Sequence, residues 1–171
     1  HISNKYNITK INKLFIIVGN LRDVKDPYFL KSLSEELKKD NIYIVYIGSD
    51  LDKKYTFSDP FYHLDNLSKE DIFASYSQVD GLINISKSEG MAVSILEAML
   101  YKCPTYVRNN PGNKSIIKHK FNGFLFNTPE QFYQLINQDT RNIIKNAFNY
   151  VLEFHNPDTE IEKYNKLLSN L

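Results

Sequence analysis

Residues 88–99 read Ser-Glu-Gly-Met-Ala-Val-Ser-Ile-Leu-Glu-Ala-Met, and what flanks them decides the fold. Immediately upstream, Gly81-Leu82-Ile83-Asn84-Ile85 is a short apolar run opened by glycine, the profile of a buried strand. Downstream, 92–101 is rich in helix formers. Its apolar positions Val93, Leu96, Ala98 and Leu100 predict a mostly buried helix. The unit is strand, tight turn, helix. In such a unit the first helical amides, here around Met91, Ala92 and Val93, have no partner inside the helix and favour an anion above the strand end. Gly90 has no side chain to block a ligand's approach to that backbone. Glu97 falls well inside the helix, where a carboxylate can accept hydrogen bonds from two neighbouring hydroxyls such as a ribose diol. Glu89, on the turn, can accept from hydroxyls of another part of the same ligand.

The same alternation runs along the chain. Residues 14–18 (Leu-Phe-Ile-Ile-Val) form a continuous apolar run ending in Gly19, the mark of a central parallel strand. A loop over 20–27 leads to a helix predicted over 28–39, with Phe29, Leu30, Leu33 and Leu37 facing the sheet. Strands follow over 42–47, closed by Gly48, and over 61–64. A helix starts at Ser68 with acids at Glu70 and Asp71, and Ile72, Phe73, Tyr76 and Ser77 on its inner side. Beyond residue 101 the pattern gives a strand over 103–107 entered through Pro104, a turn-rich loop over 108–113, a short helix over 115–119, and a strand over 124–126 after Asn122-Gly123. Helices then begin at Pro129 (Phe132, Leu135, Ile136) and over 139–154 (Ile143, Ile144, Ala147, Val151, Leu152), and a last one over 158–168 follows the break at Asn156-Pro157. The fold class is α/β: a Rossmann-like open parallel sheet with helices on both faces. Residues 1–13 read as a linker or disordered end, and 14–171 as one domain.

Composition narrows the function. Hydrophobic residues at 42% and charged residues at 24% are ordinary for a globular chain of 171 residues. A formal net charge of +1 argues against a broad electrostatic footprint for nucleic acid or an anionic membrane. A single cysteine, Cys103, allows neither an internal disulfide framework nor a Cys-rich zinc site, and reads as a buried structural thiol. No apolar run is long enough for a membrane span, and no leader opens the chain. Asn-x-Ser/Thr triplets begin at Asn7, Asn66, Asn84 and Asn113, but Asn84 lies in the predicted buried strand, where a glycan has no room. A cytoplasmic location is the expectation.

The Ser-Glu-Gly and Leu-Glu-Ala-Met elements, with glutamates eight positions apart and Pro104 beyond them, resemble the C-terminal, donor-binding domain of retaining GT-B glycosyltransferases of the group 1 type. The segment 122–126, Asn-Gly-Phe-Leu-Phe, is similar to a strand of that family. The resemblance covers nearly everything from Leu14 onward. It implies that Glu89 contacts sugar hydroxyls and Glu97 the ribose of a UDP- or GDP-linked donor. It implies that Gly19 and the loop after it face the diphosphate, with Lys25 neutralising the leaving group. The family usually carries an arginine where this chain has Asn20, so one expected charge is absent unless Arg22 supplies it. Backbone groups in the loop from Leu64 to Leu67 would read the base, with His63 packed at its edge. Gly112 would stand near the sugar. No metal or other cofactor is implied. The partner implied is an N-terminal acceptor domain of the same protein, absent from this chain, and the activity is transfer of a sugar with retention.

Other readings compete. Taken without the family, Glu89 is a helix-start acid and Glu97 a solvated helix-face residue. Asp50 and Asp52 spell the Asp-x-Asp of metal-dependent GT-A enzymes, although the lysine pair at 53–54 would repel a metal. Asn20 favours a nucleotide-sugar-binding module without turnover. A GT-B nucleotide-sugar epimerase shares the donor-domain fold.

Overall fold

The computed structural model describes residues 11–155; the last helix expected from the sequence lies outside them. Six strands, β1 (Lys13–Val18), β2 (Ile42–Ile47), β3 (Phe61–Leu64), β4 (Gly81–Asn84), β5 (Thr105–Arg108) and β6 (Phe124–Phe126), form one sheet in the order β3-β2-β1-β4-β5-β6. Every pairing is parallel. The helices are α1 (Ser34–Lys39), α2 (Lys69–Tyr76), α3 (Val93–Leu100), α4 (Pro111–Ile116), α5 (Pro129–Leu135) and α6 (Arg141–Phe154). The expected Rossmann-like α/β architecture is present.

Adjacent residues of a strand face opposite sides, and β1 shows how each side is covered. Phe15 packs with Leu33 and Leu37 of the α1 region and with Phe132 of α5. Ile16 packs with Tyr76 of α2, Ile95 and Ala98 of α3, and Ala147 of α6. Aromatic rings fill the first side: Phe15 stands edge-on to Tyr106 at 5.5 Å and to Phe132 at 5.6 Å, and Tyr106 stacks on Phe124 at 5.0 Å. Such a sheet, buried on both faces, requires the near-continuous apolar strands that the sequence carries.

Successive strands step outward from β1 towards β3, then return to β4 and step outward the other way. The crevice beyond the carboxyl ends of β1 and β4 is therefore the topological switch point, where ligands bind in open α/β sheets.

Several sequence expectations are corrected. The helix over 28–39 begins only at Ser34; residues 26–33 are held by tighter i→i+3 bonds, including Phe29 N to Asp26 O at 2.9 Å and Leu33 N to Leu30 O at 3.0 Å. Leu30 (φ −91°, ψ 3°) and Leu33 (φ −90°, ψ 8°) stand in the bridge region, so the α-helical ladder starts only after them. The helix expected over 115–119 instead runs from Pro111 to Ile116, taking in the end of the loop expected over 108–113, because Asn110 accepts from Asn113 N at 2.9 Å and proline suits the first helical position. Val93 and Leu100 face outward on α3, whose buried side is Ile95, Ala98 and Met99. Ser77 lies beyond the end of α2 and is exposed, as is Leu152 on α6. Cys103 is buried ahead of β5, and burial pushes its thiol up to about 12, an inert structural group.

Candidate functional site

Two loops meet at the switch point. The first leaves β1 through Gly19, whose φ of +138° suits glycine, and runs through a 3-10 turn at Asp23–Lys25. The second leaves β4 and carries residues 85–92 into α3. Gly19 must share space with Gly48 at the end of β2: a Cβ on Gly48 would lie 2.3 Å from the Gly19 carbonyl oxygen. Asn20 closes this corner, its Oδ1 accepting from Ser49 N at 3.2 Å. Arg22, exposed and extended, precedes the 3-10 turn.

Lys25 and Glu89, separated by 64 residues, are brought into direct contact: the lysine ammonium donates to the Glu89 carboxylate. The same oxygen accepts from Ser86 Oγ at 2.7 Å and Asn84 Nδ2 at 3.2 Å. Burial pushes the Glu89 carboxyl up, but the Lys25 and Ser86 hydrogen bonds, the lysine charge and the Asn84 amide together hold it below its ordinary value. Glu89 is thus an ionised, fixed acceptor.

That shift has a defined pH signature. A carboxyl lower in the folded than in the unfolded chain adds stability that is complete above its ordinary 4.5 and is lost as pH falls through the lower folded value. The excess stability of the wild type over Glu89→Gln is therefore expected to be constant near neutrality and to shrink below pH 4.5. Urea unfolding of both proteins across that range checks it; an excess independent of pH would show that the carboxylate is not specifically held.

Beneath Glu89 lies a polar layer that the sequence reading did not single out. Buried Asn84 Oδ1 accepts from Ser86 N at 3.1 Å and from Asn113 Nδ2 at 3.3 Å. Asn110 Nδ2 donates to Ser86 O at 2.9 Å. Arg108 donates to Asp26 Oδ2 at 2.7 Å and to Ile85 O at 3.3 Å, with its guanidinium 4.1 Å from the centre of the Phe29 ring. A backbone bond from Lys87 N to Val24 O, 2.9 Å, joins the two loops directly. The available signal was the clustering of Asn at strand ends in a buried context, where an amide has to find partners.

Gly112, expected near a sugar, is buried in the first turn of α4 against the backbone of residues 89–90. Gly90 is exposed, with nothing within 4 Å of a Cβ built on it. Met91 and Val93 are exposed and Ala92 is buried. No side chain caps α3, whereas Ser68, Asn110 and Thr128 cap α2, α4 and α5. The first amides of α3 thus face the crevice without a side chain that competes for them.

Glu97 is half-buried on α3 and does not join the Lys25–Glu89 cluster; its Oε2 accepts from Tyr76 OH of α2 at 3.3 Å. Leu64 and Leu67 are half-buried, packed against the α2–α3 side of the core, and the Leu64 carbonyl accepts from Gly48 N at 3.1 Å. His63 Nε2 lies 2.7 Å from Gly48 O, and its ring sits 5.8 Å from that of Phe57, so the histidine is packed as expected. The oxygens of Asp50 accept from Lys54 N at 3.1 Å and Tyr55 N at 2.8 Å, closing their own turn, while Asp52 is exposed.

Comparison with known proteins points the same way as the geometry. The family described as Glycosyl transferases group 1 matches residues 1–147. The chain is 34% identical to the glycosyltransferase 1 domain-containing protein 1 of Xenopus tropicalis, over 92% of this chain and 50% of that protein. The structure of HepE from Anabaena in complex with UDP-glucose superposes with a TM-score of 0.80 at 18% identity, over 99% of this chain and 52% of that one. The C-terminal domain of the group 1 family protein LpcC from Francisella tularensis superposes with a TM-score of 0.70 at 21% identity, over 90% of this chain and 91% of that one. The chain thus spans about half the length of the curated relatives it matches. Among the described residues no helix is long and apolar enough to cross a membrane.

Proposed function

Since the chain belongs to the group 1 glycosyl transferases, we propose that it is the donor-binding half of a transferase that moves a sugar from a nucleotide-linked donor to an acceptor with retention and without a metal. The observation that carries this reading is the Lys25–Glu89 pair at the switch point, bordered by Gly19, Gly90 and the uncapped start of α3. A nucleoside diphosphate lies with its pyrophosphate against the α3 amides and the Lys25 ammonium. Glu97 accepts from the ribose hydroxyls and Glu89 from those of the sugar. The base lies against residues 64–67.

As the bond between the anomeric carbon and the diphosphate oxygen breaks, its electron pair goes to the leaving group, while an acceptor hydroxyl forms the new bond to that carbon and gives its proton to the released diphosphate. Negative charge grows beside fixed donors that need no reorientation at that moment. Glu89, already engaged by three donors, orients the sugar rather than attacking it. The acceptor is bound by polypeptide that this chain does not include, and catalysis takes place in the cytoplasm.

Glu97→Ala is expected to weaken binding of a nucleoside diphosphate by about 1–3 kcal/mol through lost charged hydrogen bonds. Calorimetry on the 171-residue chain measures this, and unchanged affinity would remove Glu97 from the site. A chelator is expected to leave turnover of the complete transferase unchanged. Asn20, in the place of a cation, favours a second reading, a binding module without turnover. Sustained release of nucleoside diphosphate by the complete protein would eliminate that module.

A further inference from the structure

We infer that Tyr76 is a positioning residue for nucleotide recognition: its phenol fixes the Glu97 carboxylate in the orientation that accepts the ribose diol. The inference rests on the proposed role of Glu97 and extends it to a residue on a different helix.

Tyr76 ends α2, and its ring is buried between the sheet and α3. Its hydroxyl reaches Glu97 Oε2 at 3.3 Å and lies 3.5 Å from Ser94 O, one turn earlier on α3. Among the described residues it is the one side chain that donates to the Glu97 carboxylate. A glutamate half-exposed on a helix otherwise samples several rotamers, most of them directed along the helix surface. Anchoring one oxygen selects among these and leaves the other oxygen, with its lone pairs, for an incoming hydroxyl.

The tyrosine is itself held in place. It packs in the α2–α3 core cluster, and its ring centre is 6.1 Å from that of Tyr101, which stacks on Phe73 at 5.0 Å. Burial, and then the Glu97 charge, push the phenol far up from its ordinary value, so it remains a donor at physiological pH.

The test compares ribose with 2′,3′-dideoxyribose. UDP and GDP, each beside its 2′,3′-dideoxy counterpart, are titrated into the 171-residue chain, as wild type, Tyr76→Phe and Glu97→Gln. The wild type is expected to prefer the ribonucleotide. Tyr76→Phe is expected to lower ribonucleotide affinity about threefold to tenfold, the size of one ordinary hydrogen bond, and to leave the 2′,3′-dideoxy affinity almost unchanged. That unchanged affinity also reports that the variant is folded, because a structural role would weaken both ligands alike. Full ribose preference in Tyr76→Phe, with the preference lost in Glu97→Gln, would overturn the role of Tyr76 and leave Glu97 in place. Equal binding of both sugars by the wild type would instead overturn the ribose assignment of Glu97. Equal weakening of both ligands in Tyr76→Phe would reduce the tyrosine to a packing residue.

Discussion

Under the proposed function, Lys25→Ala is expected to lower kcat of the complete transferase by about 10²–10³-fold, the usual loss when one preorganised donor to a developing anion is removed. The ammonium is placed for this by two constraints. The 3-10 turn at Asp23–Lys25 aims the side chain back across the end of β1, and Glu89 holds its head. Because Asn20 stands where a second cation is expected, the proposed role gives Lys25 a larger share of the neutralisation than it would have in a site with two. Steady-state kinetics at saturating donor measures the effect. A loss below tenfold would move Lys25 from the leaving group to a purely structural partner of Glu89. Comparison with Glu89→Gln separates the two roles. If lysine acts only through Glu89, both variants and their combination share one phenotype. If it faces the diphosphate, Lys25→Ala alone weakens binding of the free nucleoside diphosphate.

The second large effect is steric. An alanine Cβ at position 112 would lie 2.1 Å from the Glu89 carbonyl oxygen, 2.6 Å from its carbon and 2.8 Å from the Gly90 oxygen. All three are backbone atoms, so no side chain can swing away. The start of α4 and the loop bearing Glu89 have to separate, and Asn110 and Asn113 anchor that helix to β5 and the loop. Gly112→Ala is expected to cost about 1–3 kcal/mol of stability, the range for overpacking a close contact, and to displace Glu89 from Lys25. Denaturant midpoints give the first quantity, and nucleotide affinity reports the second. Gly90→Ala, with open space around the new methyl, is expected to change stability by no more than about 0.5 kcal/mol. Equal stability of the two variants would show that the close approach at Gly112 is relieved by movement elsewhere.

How much of this was legible depended on the kind of signal. The central strands were plain because a parallel strand buried on both faces writes an uninterrupted apolar run, as 14–18 and 42–47 do. The alternation of those runs with helical spacing led to the sheet and its ligand edge. Boundaries governed by local hydrogen bonds were harder. At Pro111 the apolar spacing suggested a later helix, while the Asn110–Pro111 start signal, which decided the matter, spans only two residues. At residues 28–33 apolar spacing was satisfied by 3-10 geometry as well as by an α-helix, and the pattern cannot separate them.

In the site, Lys25 and Glu89 were visible as charges in loops at strand ends, but their contact was not, since it depends on how two distant loops fold over each other. Ser86 and Arg108 were not singled out, and Asn84 was read only as a buried strand position, for a related reason. Their work is done against neighbours that only the tertiary structure supplies. Tyr76 was visible as an apolar position on α2, and its hydroxyl, the part that reaches Glu97, leaves no periodic trace.

The stitching between the β1 and β4 loops has a consequence for how donor preference can evolve. A backbone bond at Val24–Lys87, Arg108 of β5 bridging Asp26 to Ile85 O, and the Lys25–Glu89 pair rivet the two walls together at three points. Walls joined in this way shift as a unit, so under the proposed function a bulkier carbohydrate gains no room by prying one of them aside. A change of sugar choice in this lineage is then expected to arise by paired substitutions that reset a rivet, and single replacements along the rim should tune preference without redirecting it.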